Sequence, residues 1–584
     1  MTSKFAMRSP KKPSRLLAFG AAFLIGGGAI AYLNFVQRAP KSLSPAGTQL
    51  VPKDAIATMT VTTDELTWIK LRQFGTAETQ QQFDALLSDW KDRLFTDNGY
   101  SYKRDIKPWI GDRVTLAFLP DKAANRDQTA GGGLTDAIQN VVLVVPIAEP
   151  MKAKSLLKDG PKNPTVKLES RSYKGIDIQT LKSADGDTTE LAVIGAGWLL
   201  LSNSTDGIEQ AINTYKGGRS LLNIADYRKA ATRIESPQPP GKNFAQIYLN
   251  IPAATRVMAT PSGTGTGSDN RSILPLQGSE GIVATALVES EGMRFLGTSW
   301  LAPKNDLAYS ELSNEAGEMP RRMPGDTLVM MSGGNLQQFW RGLSEGNTSP
   351  PFLPDPQNLK AGLLTQTGLD LDEDIMPWAA GEFALGLLPP LNTEAAATGV
   401  EPQDSPVQQP EAASIESAPL MIMVQTSDRE AAESVWAQLD DVMVSKYRFE
   451  VKTEDFEGGS LTKWNSPFQG VQFSHGWLPG NITFFAVGNG VADVIAPTPS
   501  RSLAETRTFQ TLTSQAPKPN NGHFYIDLTQ INALNGEVFP LPQLSADGPT
   551  AAIQAVGLTA SVDRQTMDYD LYIKLAKGSK PGAL

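Results

Sequence analysis

Chemistry in this chain has to come from carboxylates, hydroxyls and two histidines, because its 584 residues contain no cysteine. Thiolate nucleophiles, Cys-ligated zinc, iron–sulfur clusters and disulfides are thereby excluded together. The two histidines, His475 and His523, stand 48 residues apart, without metal-ligand spacing, and are expected to be structural. Asp370, Asp372, Glu373 and Asp374 place carboxylates at alternate positions, as a calcium loop does. Its sixth position is Ile375 instead of glycine and its twelfth is Gly381 instead of glutamate, so a solvated turn is expected. Ser88-Asp89-Trp90-Lys91 and Ser155-Leu156-Leu157-Lys158 both read S-x-x-K, a spacing used by penicillin-binding enzymes, but no K-T-G accompanies them. Two such matches are what ordinary Ser and Lys usage produces. G-x-S-x-G, the Walker loop and the dinucleotide fingerprint are absent, and Gly263 to Gly267 is loop composition. No residue is assigned as catalytic, cofactor-binding or metal-binding, and no cofactor is expected.

What must position any site is a chain that repeats itself. Asp105-Ile106-Lys107-Pro108-Trp109 through Leu119-Pro120 returns as Asp374-Ile375-Met376-Pro377-Trp378 through Leu388-Pro389, with 7 identities in 16 ungapped positions. Average residue usage gives about one by chance. Further landmarks recur in order: Pro52-Lys53-Asp54 and Pro324-Gly325-Asp326; Tyr173-Lys174-Gly175 and Phe456-Glu457-Gly458; Ser220-Leu221 and Ser502-Leu503; Tyr248-Leu249-Asn250 and Tyr525-Ile526-Asp527. Each half closes on a hairpin pattern, Ile282 to Leu301 turning at Glu291-Gly292 and Ala555 to Leu575 turning near Asp563-Arg564. The offset drifts, as expected of repeats that differ by loop insertions.

These motifs resemble the domain of unknown function 3352 family, bacterial and largely cyanobacterial, here as two tandem copies over about Leu50 to Leu575. The resemblance rests on the P-x-D opening, the D-I-x-P-W motif, the aromatic-aliphatic-Asp/Asn strand after the Ser-Leu helix, and the N-terminal apolar segment. It implies little chemistry. The second half departs at Ala380-Gly381-Glu382, where the first has Gly111-Asp112.

The coarse pattern predicts an α+β fold: two copies of one mixed unit with mainly antiparallel sheet, preceded by a transmembrane helix. Thr79 to Asp97 places Phe83, Leu86, Leu87, Trp90 and Leu94 on one helical face, and Arg429 to Tyr447 repeats the signal with Val435, Trp436, Leu439, Val442 and Met443. Strands are expected at Val114 to Leu119, Val141 to Val145, Ile176 to Leu181, Leu191 to Ile194 and Leu199 to Ser202, at spacings that favour antiparallel pairing. In the Trp motif, Asp105 and Asp374 suit an N-cap and Trp109 and Trp378 a buried plug, the alternative being stacking platforms for a ring or sugar. Asp121 to Asn140 and Asn392 to Ala418 read as loops, the second expected to be disordered. Pro261 to Glu280 and Asn535 to Thr550 carry short apolar clusters that either cap a core or meet a partner.

Leu16 to Val36 is 21 consecutive uncharged residues, long enough at about 1.5 Å per residue to cross a hydrocarbon core of roughly 30 Å. Lys4, Arg8, Lys11, Lys12 and Arg15 precede it, against Arg38 and Lys41 after it, which places the N-terminus in the cytoplasm and the body in a periplasm or thylakoid lumen. Ala29-Ile30-Ala31 leaves cleavage as a signal peptide open. Residues 1–41 hold 7 of the 52 basic residues and no acidic one, so the remainder has 45 basic against 62 acidic, a net of −17. That balance argues against nucleic acid. The expected organisation is a basic tail (1–15), an anchor (16–36), a linker (37–49), a first repeat (50–302), a linker (303–321), a second repeat (322–577) and a tail (578–584). Two functional readings follow. The first is a membrane-anchored, non-enzymatic binding or assembly protein whose partner is another envelope or thylakoid protein or lipid. The second is an envelope hydrolase working through carboxylates such as Asp112 or Asp54.

Overall fold

A computed structural model describes residues 47–91, 100–120, 140–153, 167–182, 188–195, 197–235, 242–258, 278–302, 314–345, 354–390, 419–467, 472–534 and 549–578. The expected membrane span, Leu16 to Val36, lies outside them, as do Ser155 to Lys158 and most of the four long loops. Among the described residues no helix is long and apolar enough to cross a membrane.

The first ten strands are β1 (Ala57–Thr62), β2 (Arg113–Leu119), β3 (Asn140–Pro146), β4 (Lys167–Tyr173), β5 (Ile176–Lys182), β6 (Thr188–Ile194), β7 (Trp198–Ser202), β8 (Lys242–Asn250), β9 (Ser279–Val288) and β10 (Gly292–Leu301). Pairwise registers join them as β4-β5-β6-β7-β3-β2-β1-β8-β9-β10, antiparallel throughout. The next ten are β11 (Val329–Gly333), β12 (Phe383–Leu387), β13 (Leu420–Gln425), β14 (Glu450–Phe456), β15 (Gly459–Asn465), β16 (Phe473–Leu478), β17 (Ile482–Val487), β18 (Gly522–Asp527), β19 (Ile553–Asp563) and β20 (Thr566–Leu575). Their order is β14-β15-β16-β17-β13-β12-β11-β18-β19-β20. β10 pairs with β20, from Gly292 opposite Lys574 to Trp300 opposite Thr566, so the 20 strands among the described residues form one sheet. The fold is α+β with an antiparallel sheet, as the strand spacing predicts. The outermost strands β4 and β14 are rich in charge, which blunts exposed edges against further pairing.

Period-two patterning puts a core on each face of this sheet. β1 reads Ala-Thr-Met-Thr-Val-Thr: Ala57, Met59 and Val61 pack against Trp68 and Leu71 of the helix Glu65–Leu71 and Ala253 and Ala254 of Ile251–Met258. On the opposite face Ala117, Leu119, Val142 and Val144 lie under the helices Thr205–Tyr215 and Ala225–Glu235. In the second half, Met330, Ala384, Met421 and Met423 meet the helices Val491–Ile495 and Arg507–Leu512. The other face takes the helices Leu336–Ser344 and Leu528–Ala533.

The two amphipathic stripes are helices Ala77–Lys91 and Arg429–Ser445, but they do not hold matching places. Arg429–Ser445 follows β13, as a helical turn at Pro150 follows β3. The element after Leu336–Ser344 is instead Pro356–Thr367, a helix with no buried residue and hence no apolar stripe to read. At the end of the expected linker, Asn314 exchanges side-chain hydrogen bonds with the Val562 backbone at 2.7 and 2.9 Å. The buried carboxylate of Glu382 accepts N–H groups of Gly317, Glu318 and Met319 at 2.6 to 3.0 Å, closing the start of the short helix Met319–Arg322. Burial raises this carboxyl above the usual range against the pull of those donors.

Candidate functional site

The Trp motif folds the same way in both halves, and not as an N-cap. Tyr102–Ile106 and Leu371–Ile375 are single π-helical turns, so each aspartate sits inside the turn. Asp105 Oδ2 accepts the N–H of Ser101 at 2.7 Å, and Asp374 Oδ2 accepts that of Asp370 at 2.7 Å. The wide turn moves the aspartate four residues past the group it satisfies, which corrects the capping expectation. Each indole then donates back to its own aspartate's carbonyl, Trp109 to Asp105 at 2.7 Å and Trp378 to Asp374 at 2.9 Å. The rings are 3% and 4% exposed. They are plugs with their polar edge satisfied, and no face is left for a stacked ring or sugar.

The carboxylates proposed for hydrolysis do not meet. Asp54 precedes β1 and Asp112 precedes β2, whose Arg113 lies opposite Thr62 at the far end of β1. Six strand residues therefore separate them, roughly 20 Å at about 3.3 Å per residue, and both are exposed. Asp112 has no counterpart at Gly381, where a Cβ would come within 2.3 Å of the Gln425 carbonyl oxygen. The acidic run is divided in the same way. Asp370 caps the N–H groups of Asp372 and Glu373, Asp372 accepts the Trp340 indole at 2.6 Å and pairs with Lys360 at 2.5 Å, and Asp374 serves its own turn. Lys360, with the Trp340 indole, lowers the Asp372 carboxyl below its ordinary range. Among the described residues no group of three metal-ligating side chains converges. Ser88 is exposed on its helix. Ser268-Asp269-Asn270, an S-D-N triplet of the kind that accompanies S-x-x-K in penicillin-binding enzymes, lies outside the described residues with Ser155 and Lys158.

The histidines are separately engaged. His475 Nε2 shares Asp440 Oδ1 (2.9 Å) with the Trp464 indole (2.6 Å), while Trp436 stacks on the imidazole at 4.4 Å. His523 is buried between Thr559, whose hydroxyl is 2.9 Å from Nδ1, and the edge of Phe509. Burial pushes its pKa down to about 4, so it stays neutral near pH 7.

A buried charge cluster lies where the halves join. Arg294 on β10 is fully buried; its Nη1 reaches both oxygens of Asp570 on β20 at 2.7 and 2.6 Å, its Nε reaches Glu289 at 2.8 Å, and its Nη2 reaches Ser514 Oγ at 2.7 Å. The guanidinium lies 4.5 Å over the Tyr572 ring. Nearby, Asp568 accepts the Thr298 hydroxyl at 2.7 Å and pairs with Arg233 at 2.5 Å. Sequence reasoning passed over these residues. The available signal was charge at inward-facing positions of apolar strands, Arg294 between Met293 and Phe295 and Asp570 between Tyr569 and Leu571. Such charge survives burial only when paired. The cluster is a junction in which one guanidinium is shared by Asp570 and Glu289, and burial raises the Asp570 carboxyl above its ordinary range against the pull of Arg294.

The family model described as "Protein of unknown function (DUF3352)" matches residues 17–575, across both halves. No curated protein matches the chain. Among solved structures, crystal forms III, I and IV of TP0453 share 9%, 12% and 10% identity, covering 46%, 45% and 47% of this chain and 83%, 81% and 86% of theirs. Their TM-scores are 0.23, 0.22 and 0.23, too low to carry an argument.

Proposed function

The chain belongs to the DUF3352 family of proteins of unknown function, and from that premise we propose that it is a membrane-anchored, extracytoplasmic binding or assembly protein that performs no chemistry of its own. The observation that carries this reading is the separation of Asp54 and Asp112 at opposite ends of β1. Glycoside hydrolysis by a carboxylate pair needs the two about 5 to 10 Å apart. The anchor is supported by the uncharged Leu16 to Val36 behind five cations.

The body is a duplicated unit whose copies are fused as a dimer would be. Backbone bonds support this: Lys53 N–H to Arg219 O matches Gly325 N–H to Arg501 O, and Ile56 N–H to Phe118 O matches Leu328 N–H to Leu387 O. Ser220 and Ser502 each open a capping box and each bridge to the opening proline, Pro52 or Pro324. β10 starts at 292 and β20 at 566, an offset of 274; adding it to Leu296 gives Asp570, the residue Leu296 pairs with. The seam is thus related to itself by a two-fold through that pair, the isologous arrangement of a symmetric dimer. A long sheet shielded on both faces suits a scaffold whose loops and edges meet partners.

The test is purification of a C-terminally tagged chain from native membranes, with identification of the proteins and lipids that accompany it, beside assays of the purified chain on esters, peptides, glycans and β-lactams. The reading expects a reproducible companion and no turnover. Turnover that disappears in Asp112→Asn would replace it with the hydrolase.

A further inference from the structure

We propose that the buried charges of the seam select its partner: β10 and β20 accept an unlike half and reject a second copy of their own. The proposal rests on the duplicated-unit reading. Tyr248 pairs with Val283 and Val283 with Thr298, while Tyr525 pairs with Gly557 and Gly557 with Tyr572. Tyr248 and Tyr525 are landmarks of the repeat, so Tyr572 holds the place of Thr298, Asp570 that of Leu296 and Asp568 that of Arg294. All of these residues lie on one face of the sheet, because they alternate along directly paired strands.

The backbone register alone does not tell the halves apart. A two-fold through the Leu296–Asp570 pair would serve two first halves or two second halves equally well. Two second halves would set Asp570 directly opposite Asp570 of the copy, with Cβ atoms about 4.5 to 5.5 Å apart, flanked by Asp568 from each. Asp570 is 2% exposed, so neither carboxylate could turn to water, and like charges facing across a ladder are destabilising. The guanidinium that holds Asp570 at 2.6 and 2.7 Å comes from the other half, as does Arg233, which holds Asp568. The residue that stands to Arg233 as Ser502 stands to Ser220 is Gln515.

Two first halves would set Arg294 opposite Thr298, and Leu296 opposite Leu296 of the copy. Each fully buried guanidinium would keep Glu289 of its own half and lose Asp570 and Ser514. Removing one member of a buried pair strongly destabilises what is left. Only the unlike pairing sets cations against carboxylates. Glu291 and Arg507 cross the seam in the opposite sense, but Arg507 is 84% exposed and such a pair contributes little. Discrimination of this kind needs repulsion toward the wrong partner as well as attraction to the right one. The seam has both, and the chain closes on itself where two copies could have joined.

The intact chain can carry a mimic of the wrong pairing. Arg294→Asp gives β10 the residue that β20 has at that place and sets acid against acid within one molecule. Seam closure is read by Phe295→Cys/Leu571→Cys, which the register places opposite each other on the sheet's other face, in a chain without native cysteine. Cα atoms of such a pair are about 4.5 to 5.5 Å apart, within disulfide range. The full chain in detergent is equilibrated with glutathione at about pH 8, and the oxidised fraction gives the effective concentration of one cysteine at the other. Against the cysteine pair alone, Arg294→Asn should lower that concentration by about a hundredfold. Arg294→Asp, of the same shape, should lower it by about tenfold more, and Arg294→Asp/Asp570→Arg should regain about tenfold over Arg294→Asp. Should the single variants fail to fold, the reversed pair decides alone: a closed seam supports the proposal and an unfolded chain overturns it. Leu296→Cys in an otherwise unchanged chain should give no disulfide-linked dimer, because this position meets its own copy only when two first halves pair. Equal values for folded Arg294→Asn and Arg294→Asp, no recovery on reversal, or a Leu296→Cys dimer overturns the selection by charge and leaves the seam standing. Failure of the 295–571 disulfide to form with the native charges overturns the seam register and the duplicated-unit reading with it.

Discussion

Replacing Arg294 by methionine should be among the most damaging single changes available outside the apolar cores. The methionine keeps much of the stem's volume and removes the charge, leaving Asp570, 2% exposed, without the guanidinium that holds it at 2.6 to 2.7 Å. Glu289 is 17% exposed and can turn to water, so the penalty falls mainly on Asp570. Breaking a buried ion pair by removing one member costs about 3 to 5 kcal/mol, and that range applies here because the contacts of the guanidinium with Asp570, Glu289 and Ser514 fall between 2.6 and 2.8 Å. Arg294→Met/Asp570→Leu removes the orphaned charge as well, and its cost should be smaller than the sum of the single losses by about 2 kcal/mol. The assay is a double-mutant cycle by urea unfolding of the detergent-solubilised full chain, read by tryptophan fluorescence and by far-ultraviolet circular dichroism. Because Arg294 and Asp570 stand on the strand pair that joins the halves, the single variants should also separate one transition into two. A loss below about 1 kcal/mol for Arg294→Met, or costs that simply add, would refute the reasoning that this pair is buried and coupled.

His523 provides a pH dependence of known sign. Its folded pKa of about 4 lies below the ordinary 6.5, so the unfolded chain binds the extra proton. The stability that neutral His523 contributes is complete above pH 6.5 and falls as pH drops toward 4, by about 3 kcal/mol at about 1.4 kcal/mol per unit. His523→Gln, which installs the residue type that Gln246 supplies at the corresponding place in the first half, should flatten that part of the stability profile; an unchanged profile would mean the imidazole is not buried neutral. Trp109→Ala and Trp378→Ala should each cost about 3 to 5 kcal/mol, the range for truncating a buried aromatic, and comparable losses in both are expected because each ring makes the same back-bond to its aspartate. A ring whose removal costs under about 1 kcal/mol would show that its half does not rely on the plug.

Strands β2, β3, β5, β6 and β7 and both closing hairpins were legible as short apolar or alternating runs with turns between them, whereas polar β4, Lys-Leu-Glu-Ser-Arg-Ser-Tyr, offered no such run. Thr-rich β1 is less obvious, since its polar alternates are buried as well: Thr58 and Thr60 are 3% and 2% exposed, and Thr60 bonds to Thr115 on the neighbouring strand. The Trp motif announced a buried plug, yet Asp-x-x-Pro is also a capping pattern, and only the extra residue of a π turn moves the aspartate from cap to clamp. Helix Pro356–Thr367 left no periodic signal because it buries no side chain. The seam was out of reach for a different reason. Arg294 and Asp570 are 276 residues apart, and nothing local distinguishes a paired inward charge from an exposed one. Glu382 illustrates the converse, since the departure from Gly111-Asp112 that marked it is a clasp for the incoming chain and not the remnant of a site.

The central claim is that the body stands outside the cytoplasm on an uncleaved N-terminal anchor. It is tested most directly by adding protease to spheroplasts, or to opened thylakoids, of cells making a C-terminally tagged chain, and by washing the same membranes with carbonate. The account predicts that protease removes the tag and digests the body, and that the full-length chain stays with the membrane through the wash. A tag that survives protease until the cytoplasmic side is exposed would contradict the orientation. A chain that is released by carbonate, shortened after Ala31, would contradict the anchor.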